Sequence, residues 1–287
     1  MNKQIDGDKW EEYVLSKYKK NFDMVRSFLE CAKHLKDSFS NKKIPGEKVG
    51  AKGSVLRFLF AKVYKTTKAA LLLCKRGYPE DALILARANF EAALWVLYIF
   101  NDEKDAEKKA LAFINADIFS RGKALREMLG IDKSNDKYTA ELRKEFESVK
   151  QQLSEIEKRD KEICKLAKEL DDKKIVNLAN DVGLLVIYRS FYWYSSLYAH
   201  NKCRSSNSYI SESSGRPEFL VCPTEEGLLR IFIPLCQFLF YVMDKFNSLF
   251  ELNLEGELKD KLVLLNNEWQ GYRNNVDKKL NLSGQGT

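Results

Sequence analysis

Apolar residues recur at three- and four-residue steps along most of this chain, and alternation of period two is nowhere sustained. Trp10, Val14, Tyr18, Phe22, Val25, Leu29, Ala32 and Leu35 trace one stripe, which predicts a long amphipathic helix over Asp8–Phe39. Asn41 to Gly53, with Pro45, Gly46, Gly50 and Gly53 among lysines, predicts a basic linker. A second helix runs from Ser54 and stops at Lys75-Arg76-Gly77, cations in the last turn and then glycine. Pro79-Glu80-Asp81 opens the next, with proline near its first position and acids in its first turn. So short a turn forces an antiparallel hairpin. Its second arm, Leu83–Phe100, is apolar on every face except at Arg87, Asn89 and Glu91, which predicts a central helix.

Asp105–Leu129 reads as a helix stopped by Gly130. Over Lys137–Leu170 a near-heptad rhythm, carried by Tyr138, Leu142, Phe146, Val149, Leu153, Ile156, Ile163 and Leu166, runs through dense Lys and Glu. That pattern predicts a protruding coiled-coil-like arm, in one helix or two, able to pack on the N-terminal helix or on a second copy of the chain. A short helix up to Asp181 follows. Leu184–Asn201 is an aromatic helix, Ser205–Thr224 a Ser-rich loop suited to a mobile flap, Glu225–Leu252 a core helix and Glu255–Asp277 the last, before a polar tail from Asn281. The expected fold is all-α, a multi-helix bundle with a long charged arm. Its parts are 1–53 (helix and basic linker), 54–252 (core, including the 137–170 arm) and 253–287 (C-terminal helix and tail).

Composition narrows the chemistry. The 287 residues carry 48 Lys and Arg against 41 Asp and Glu, a net charge of +7 that permits nucleic-acid contact without demanding it. Two histidines cannot build a His-rich metal site, and six cysteines without a CxxC pair suggest neither zinc nor a disulfide framework. No cofactor is expected. The N-terminus has no apolar core of a signal peptide, and the apolar run Ile231–Met243 is shorter than the roughly 20 residues of a spanning helix, so a cytoplasmic protein with no membrane partner is expected.

The densest aromatic run, Tyr188 to Asn201, also holds Arg189, Ser196 and His200 at offsets of seven and four, which return to one face of an α-helix. His200 can move protons near neutral pH, and Arg189 can neutralise a phosphate. Eleven residues separate them, about 16 Å of straight helix, so they do not reach one atom together. Arg87 and Glu91 share a face of the most apolar helix, where a charge needs a partner. The partner of Glu91 is Arg87 itself, or His200 or Arg189 across the bundle. Candidate catalytic residues are therefore His200, Arg189 and Glu91. Candidate binding residues are Arg87, Tyr188, Ser196 and Asn201. The group is either an open site or a buried structural network.

Two stretches resemble a known family. Arg76-Gly77-Tyr78-Pro79-Glu80-Asp81-Ala82-Leu83 with Arg87-Ala88-Asn89-Phe90-Glu91-Ala92, then Tyr188-Arg189 with Ser196-Leu197-Tyr198-Ala199-His200, resemble the signatures of a bacterial helical family, domain of unknown function 5677. The resemblance covers roughly 56–243. The helical layout is also similar to the HEPN superfamily, many of whose members are metal-independent ribonucleases of defence and toxin systems. In those an Arg and a His lie four to six residues apart; here ten residues intervene. The resemblance implies a helical fold and candidate positions; the leading expectation is a bacterial defence or toxin-type effector acting on RNA or a nucleotide, in which a 2′-hydroxyl attacks the adjacent phosphate while His200 moves protons and Arg189 and Arg87 hold the phosphate. The second reading is a non-catalytic helical interaction or sensor protein, dimeric through the arm.

Overall fold

The computed structural model describes residues 7–42, 44, 49–131, 136–211 and 218–283. Pro45, Gly46, Gly215, Pro217 and the last four residues, on which parts of the linker, flap and tail expectations rest, lie outside the described residues. The fold is all-α, with two-residue strands as its only sheet among those described. It divides into two units, Met1–Ile44, Leu56–Leu97 and Gly183–Thr287 in one, Pro45–Val55 and Tyr98–Val182 in the other. This differs from the three-part layout expected from the sequence. The N-terminal and C-terminal helices join the first unit because both cover the same buried helix.

That buried helix is α11 (Leu229–Phe250), which hides Phe232, Phe238, Leu239, Met243 and Phe246 among others. The N-terminal stripe packs on it, as two helices rather than one: α1 (Gly7–Lys17) and α2 (Lys19–Asn41). The break falls at Tyr18, where Glu225 takes Lys17 Nζ at 2.6 Å and the hydroxyls of Tyr13 and Tyr18 at 3.1 and 3.3 Å. Phe22 meets Phe232 edge-on at 5.0 Å, and Phe39 meets Phe250 at 4.6 Å, so α2 and α11 run in the same direction. Such pairs add roughly 0.5–1.5 kcal/mol each beyond the area they bury. Asn247 closes the turn from α11 to α12 (Glu255–Ser283), accepting from Leu254 N and donating to Glu255.

The hairpin of α3 (Gly50–Arg76) and α4 (Pro79–Ile99) forms as its sequence predicts. Gly77 N donates to Cys74 O and Tyr78 N to Leu73 O, the paired bonds that close a helix on a left-handed glycine. Gly77 sits at φ +79°, with Trp10 and Pro223 against the place a side chain would occupy. Buried Asn89 donates to Thr67 across the hairpin at 2.9 Å. α4 is long and apolar enough to cross a membrane by composition alone, and 56% of that stretch is buried inside the fold.

The second unit corrects three expectations. α3 begins at Gly50, inside the expected linker, because Glu107 accepts from the free N–H groups of Ala51 and Lys52 at 2.7 and 3.1 Å. α5 (Ala106–Ile131) runs through Gly130 instead of stopping there. The charged segment is no protruding arm: α6 (Lys137–Arg159) and α7 (Lys161–Asp171) break at Asp160, whose carboxylate caps α7, and both fold onto α5. Leu125, Leu142 and Val149 form a buried cluster with Phe146 and Leu153. Lys108 bonds Glu162, and Lys123 bonds Asp171 and Asp172, so α7 runs alongside α5. Leu142 and Val149 of the near-heptad stripe are therefore covered within the chain, while Tyr138 stays 58% exposed. α8 (Ile175–Asp181) completes the unit.

Candidate functional site

The aromatic segment is not one regular helix. α9 (Leu185–Ile187) passes into a π-helical turn, Tyr188–Tyr192, and then α10 (Trp193–Ala199). Trp193 N–H reaches back five residues to Tyr188 O. A π turn takes in an extra residue, and such turns concentrate at functional positions. Trp193 and Tyr194, four and five residues beyond Arg189, consequently flank it; in an α-helix Tyr194 would swing well away. The single face expected for Arg189, Ser196 and His200 is lost for the same reason.

Tyr192 anchors the turn. Its ring stacks on Tyr188 at 5.0 Å and touches Phe90 of α4. Its hydroxyl receives Arg87 Nη2 at 2.8 Å and donates to Glu91 Oε1 at 2.9 Å. Arg87 also lies 4.6 Å over the ring, and its Nε stands 3.3 Å from Glu91 without the alignment of a hydrogen bond. Burial pushes the Tyr192 phenol above its usual range, against the pull of Arg87. Arg87 and Glu91 thus find each other, as the spacing predicts, but their third member is Tyr192 and not Arg189 or His200. The signal that could have found it is an aromatic hydroxyl facing the apolar helix that carries both charges.

The remaining candidates scatter. Arg189 and His200 are exposed, and neither forms an ion pair or side-chain hydrogen bond among the described residues. Ser196 Oγ is taken by Tyr192 O at 2.6 Å, beside buried Ser195 on the same carbonyl. Asn201, at φ +48°, ends α10 in the role glycine plays elsewhere, with Lys202 N bonded to Leu197 O. The expected flap starts as a 3₁₀ turn (Cys203–Ser208) and continues into an antiparallel pair, β1 (Ile210–Ser211) and β2 (Glu218–Phe219). The strands are too short to show any alternation in sequence.

Arg189 opens onto a cavity of about 450 Å³. The aromatic segment supplies Arg189, Phe191, Trp193 and Tyr194; α11 supplies Leu229, Arg230, Ile233 and Pro234; α12 supplies Trp269. Pro234 lacks the N–H that would bond the carbonyl of Arg230 one turn back. The cation of Arg230 rests 4.9 Å over Tyr194, and that of Arg204 lies 5.4 Å over Trp193, which is 50% exposed. Burial, and then a hydrogen bond with Tyr198, push the Tyr194 phenol up to about 12. The cavity has apolar walls, two arginines and no carboxylate among its lining residues. Arg230 and Trp269 were not singled out from sequence, because they come from helices far along the chain. Among the described residues no three His, Cys, Asp or Glu side chains gather as metal ligands. The buried thiols of Cys31 and Cys74 are pushed up to about 12 by burial.

An all-α chain with an arginine- and aromatic-lined cavity on a π-distorted helix is the class these features define. The chain belongs to the family of unknown function DUF5677, whose model matches residues 53–217. Arg189, Trp193 and Tyr194 fall inside that match; Arg230 and Trp269 lie beyond it. No curated protein and no solved structure matches the chain.

Proposed function

We propose that this chain binds a nucleotide or single-stranded RNA in the Arg189–Arg230 cavity. The observation that carries the reading is the pairing of two arginines with Trp193, Tyr194 and Trp269 in a space without a lining carboxylate. Aromatic faces take bases by stacking, each worth about 1–3 kcal/mol, and guanidinium groups take phosphate in bidentate fashion. The volume falls within the roughly 300–1,000 Å³ of small-ligand pockets. An HEPN-like relationship, expected from the helical layout, would call for the same class of ligand. It does not extend to cleavage: His200 is not among the lining residues, and Glu91 is engaged by Tyr192. Recognition is therefore the role the geometry supports best, in an effector or a sensor of RNA.

The test is titration of the full-length protein with nucleoside monophosphates and short RNA, read by tryptophan fluorescence. Arg189→Ala and Arg230→Ala should each weaken binding and lower the salt dependence by about one phosphate contact. Absence of binding to any of these ligands by the folded wild type sinks the reading.

A further inference from the structure

The cavity does not end at Arg230. Tyr194 and Arg230 also line a narrow neck of about 50 Å³, shared with Tyr198, Ser208, Glu80 and Glu226. Ser208, Glu80 and Glu226 in turn line a recess of about 150 Å³, walled by β2 and by Cys222 to Thr224. The three spaces adjoin through these shared side chains, so a cationic aromatic end and an acidic one lie along one face. Tyr194 and Tyr198 hydroxyls bond at 2.9 Å, and Tyr198 bonds Ser208 at 3.1 Å, which fixes the neck wall.

Glu80 is the unusual group there. It is half-buried in the first turn of α4, and no cation or side-chain donor holds its carboxylate among the described residues. Burial holds its carboxyl above the ordinary carboxylate range, against a hydrogen bond from its own backbone N–H and with Asp81 and Glu226 adding to the rise. A partly desolvated carboxylate held only by its own backbone N–H keeps acceptor sites for further donors. Phe219, 79% exposed, stands at the recess with no evident role in the core.

We infer that the groove takes two linked nucleotides: one base against Trp193 and Trp269, the joining phosphate at Arg230, and a guanine in the recess on Glu80. This rests on the reading proposed above and names its ligand. A carboxylate accepts two parallel N–H donors side by side, and guanine alone among the RNA bases presents an adjacent ring N–H and amino N–H on one edge. Phe219 offers that base a stacking face. The acidic end repels phosphate, which keeps the linkage at Arg230. The same chemistry is offered by a free dinucleotide and by one step of an RNA strand.

The experiment titrates the full-length protein with GMP, UpU, the two guanine–uridine dinucleotides, and a uridine octamer carrying one guanosine. One guanine–uridine dinucleotide should bind about tenfold tighter than both UpU and GMP, the discrimination expected of one bidentate base contact. Glu80→Gln should remove the preference over UpU while leaving UpU affinity in place and the protein folded, with an unfolding temperature no lower than that of the wild type. Glu226→Gln, at the exposed rim, provides a second variant if Glu80→Gln misfolds, and should reduce the preference. A tenfold gain of octamer over dinucleotide assigns RNA as the source; equal affinity assigns the free dinucleotide. UpU binding with no guanine preference, or a preference untouched by both variants, overturns this inference and leaves the cavity reading standing. Failure of every ligand to bind overturns the cavity reading itself.

Discussion

Arg87 covers the ring of Tyr192 at 4.6 Å and donates to the hydroxyl of the same residue at 2.8 Å. One side chain thereby clamps the π turn to the apolar helix α4 by its face and by its edge together. Tyr192→Phe keeps the ring and removes the hydroxyl that joins Arg87 to Glu91. A loss of about 1–3 kcal/mol is expected, because a mostly buried guanidinium is left short of an acceptor. Denaturant unfolding measures it, and an unchanged midpoint would show the clamp to be idle.

Two glycines should respond in opposite directions. Gly77→Ala forces a side chain into a left-handed position, 2.5 Å from Trp10 Nε1 and 2.6 Å from Pro223 Cβ. Destabilisation of about 1–3 kcal/mol or more is expected. Gly130 lies inside α5 with nothing near the place a Cβ would occupy. Gly130→Ala should therefore stabilise by about 0.5–1 kcal/mol, through the lower entropy of the unfolded chain. Paired thermal melts decide both.

Glu80 should make the fold weaker as pH rises. Its carboxyl is held above the usual range, chiefly by burial, so the folded state keeps its proton longer than the unfolded state does. Stability is then fully present below the unfolded value and is lost as pH climbs through the folded one. Glu80→Gln should raise the unfolding temperature at neutral pH, with the gain fading in acid. A gain that stays constant from acid to neutral pH would contradict the assignment.

His200→Ala should change little. The side chain is exposed and holds no hydrogen bond among the described residues, so stability should move by no more than about 0.5 kcal/mol. This departs from the role of a core histidine that its aromatic surroundings suggest in sequence. Ligand affinity in the cavity should also be preserved. A drop of tenfold or more, roughly 1.4 kcal/mol, would bring His200 back into the site.

Local signals proved legible where the decisive contacts are local. Lys75-Arg76-Gly77 and Pro79 announce the α3–α4 hairpin because capping is settled within a few residues. Starts and stops set by distant groups were hidden: Glu107 begins α3 early, and Glu225 breaks the N-terminal helix at Tyr18. The near-heptad rhythm of 137–170 was read correctly as helical. That α5 covers part of it shows in no spacing, because a stripe tells that it must be covered and not by what.

The site was half visible. Arg87 with Glu91, and the aromatic run with Arg189, stand out as polar groups in apolar surroundings. Period counting assumes 3.6 residues per turn throughout, and the π turn breaks that assumption inside the segment where it mattered most. Arg230, Trp269 and Glu80 reach the groove through tertiary folding, and no spacing in the chain connects them.

The π turn sets the phase of the aromatic wall of the cavity. Deleting one residue between Arg189 and Tyr192 would return the segment to an ordinary helix, with Trp193 and Tyr194 then three and four residues beyond Arg189 and so still beside it. Regularising the helix without shortening it would instead leave Tyr194 five residues on and swing it away from Arg189. The π turn thus absorbs one residue while keeping the aromatic pair on Arg189, and the helix on either side of it keeps its phase.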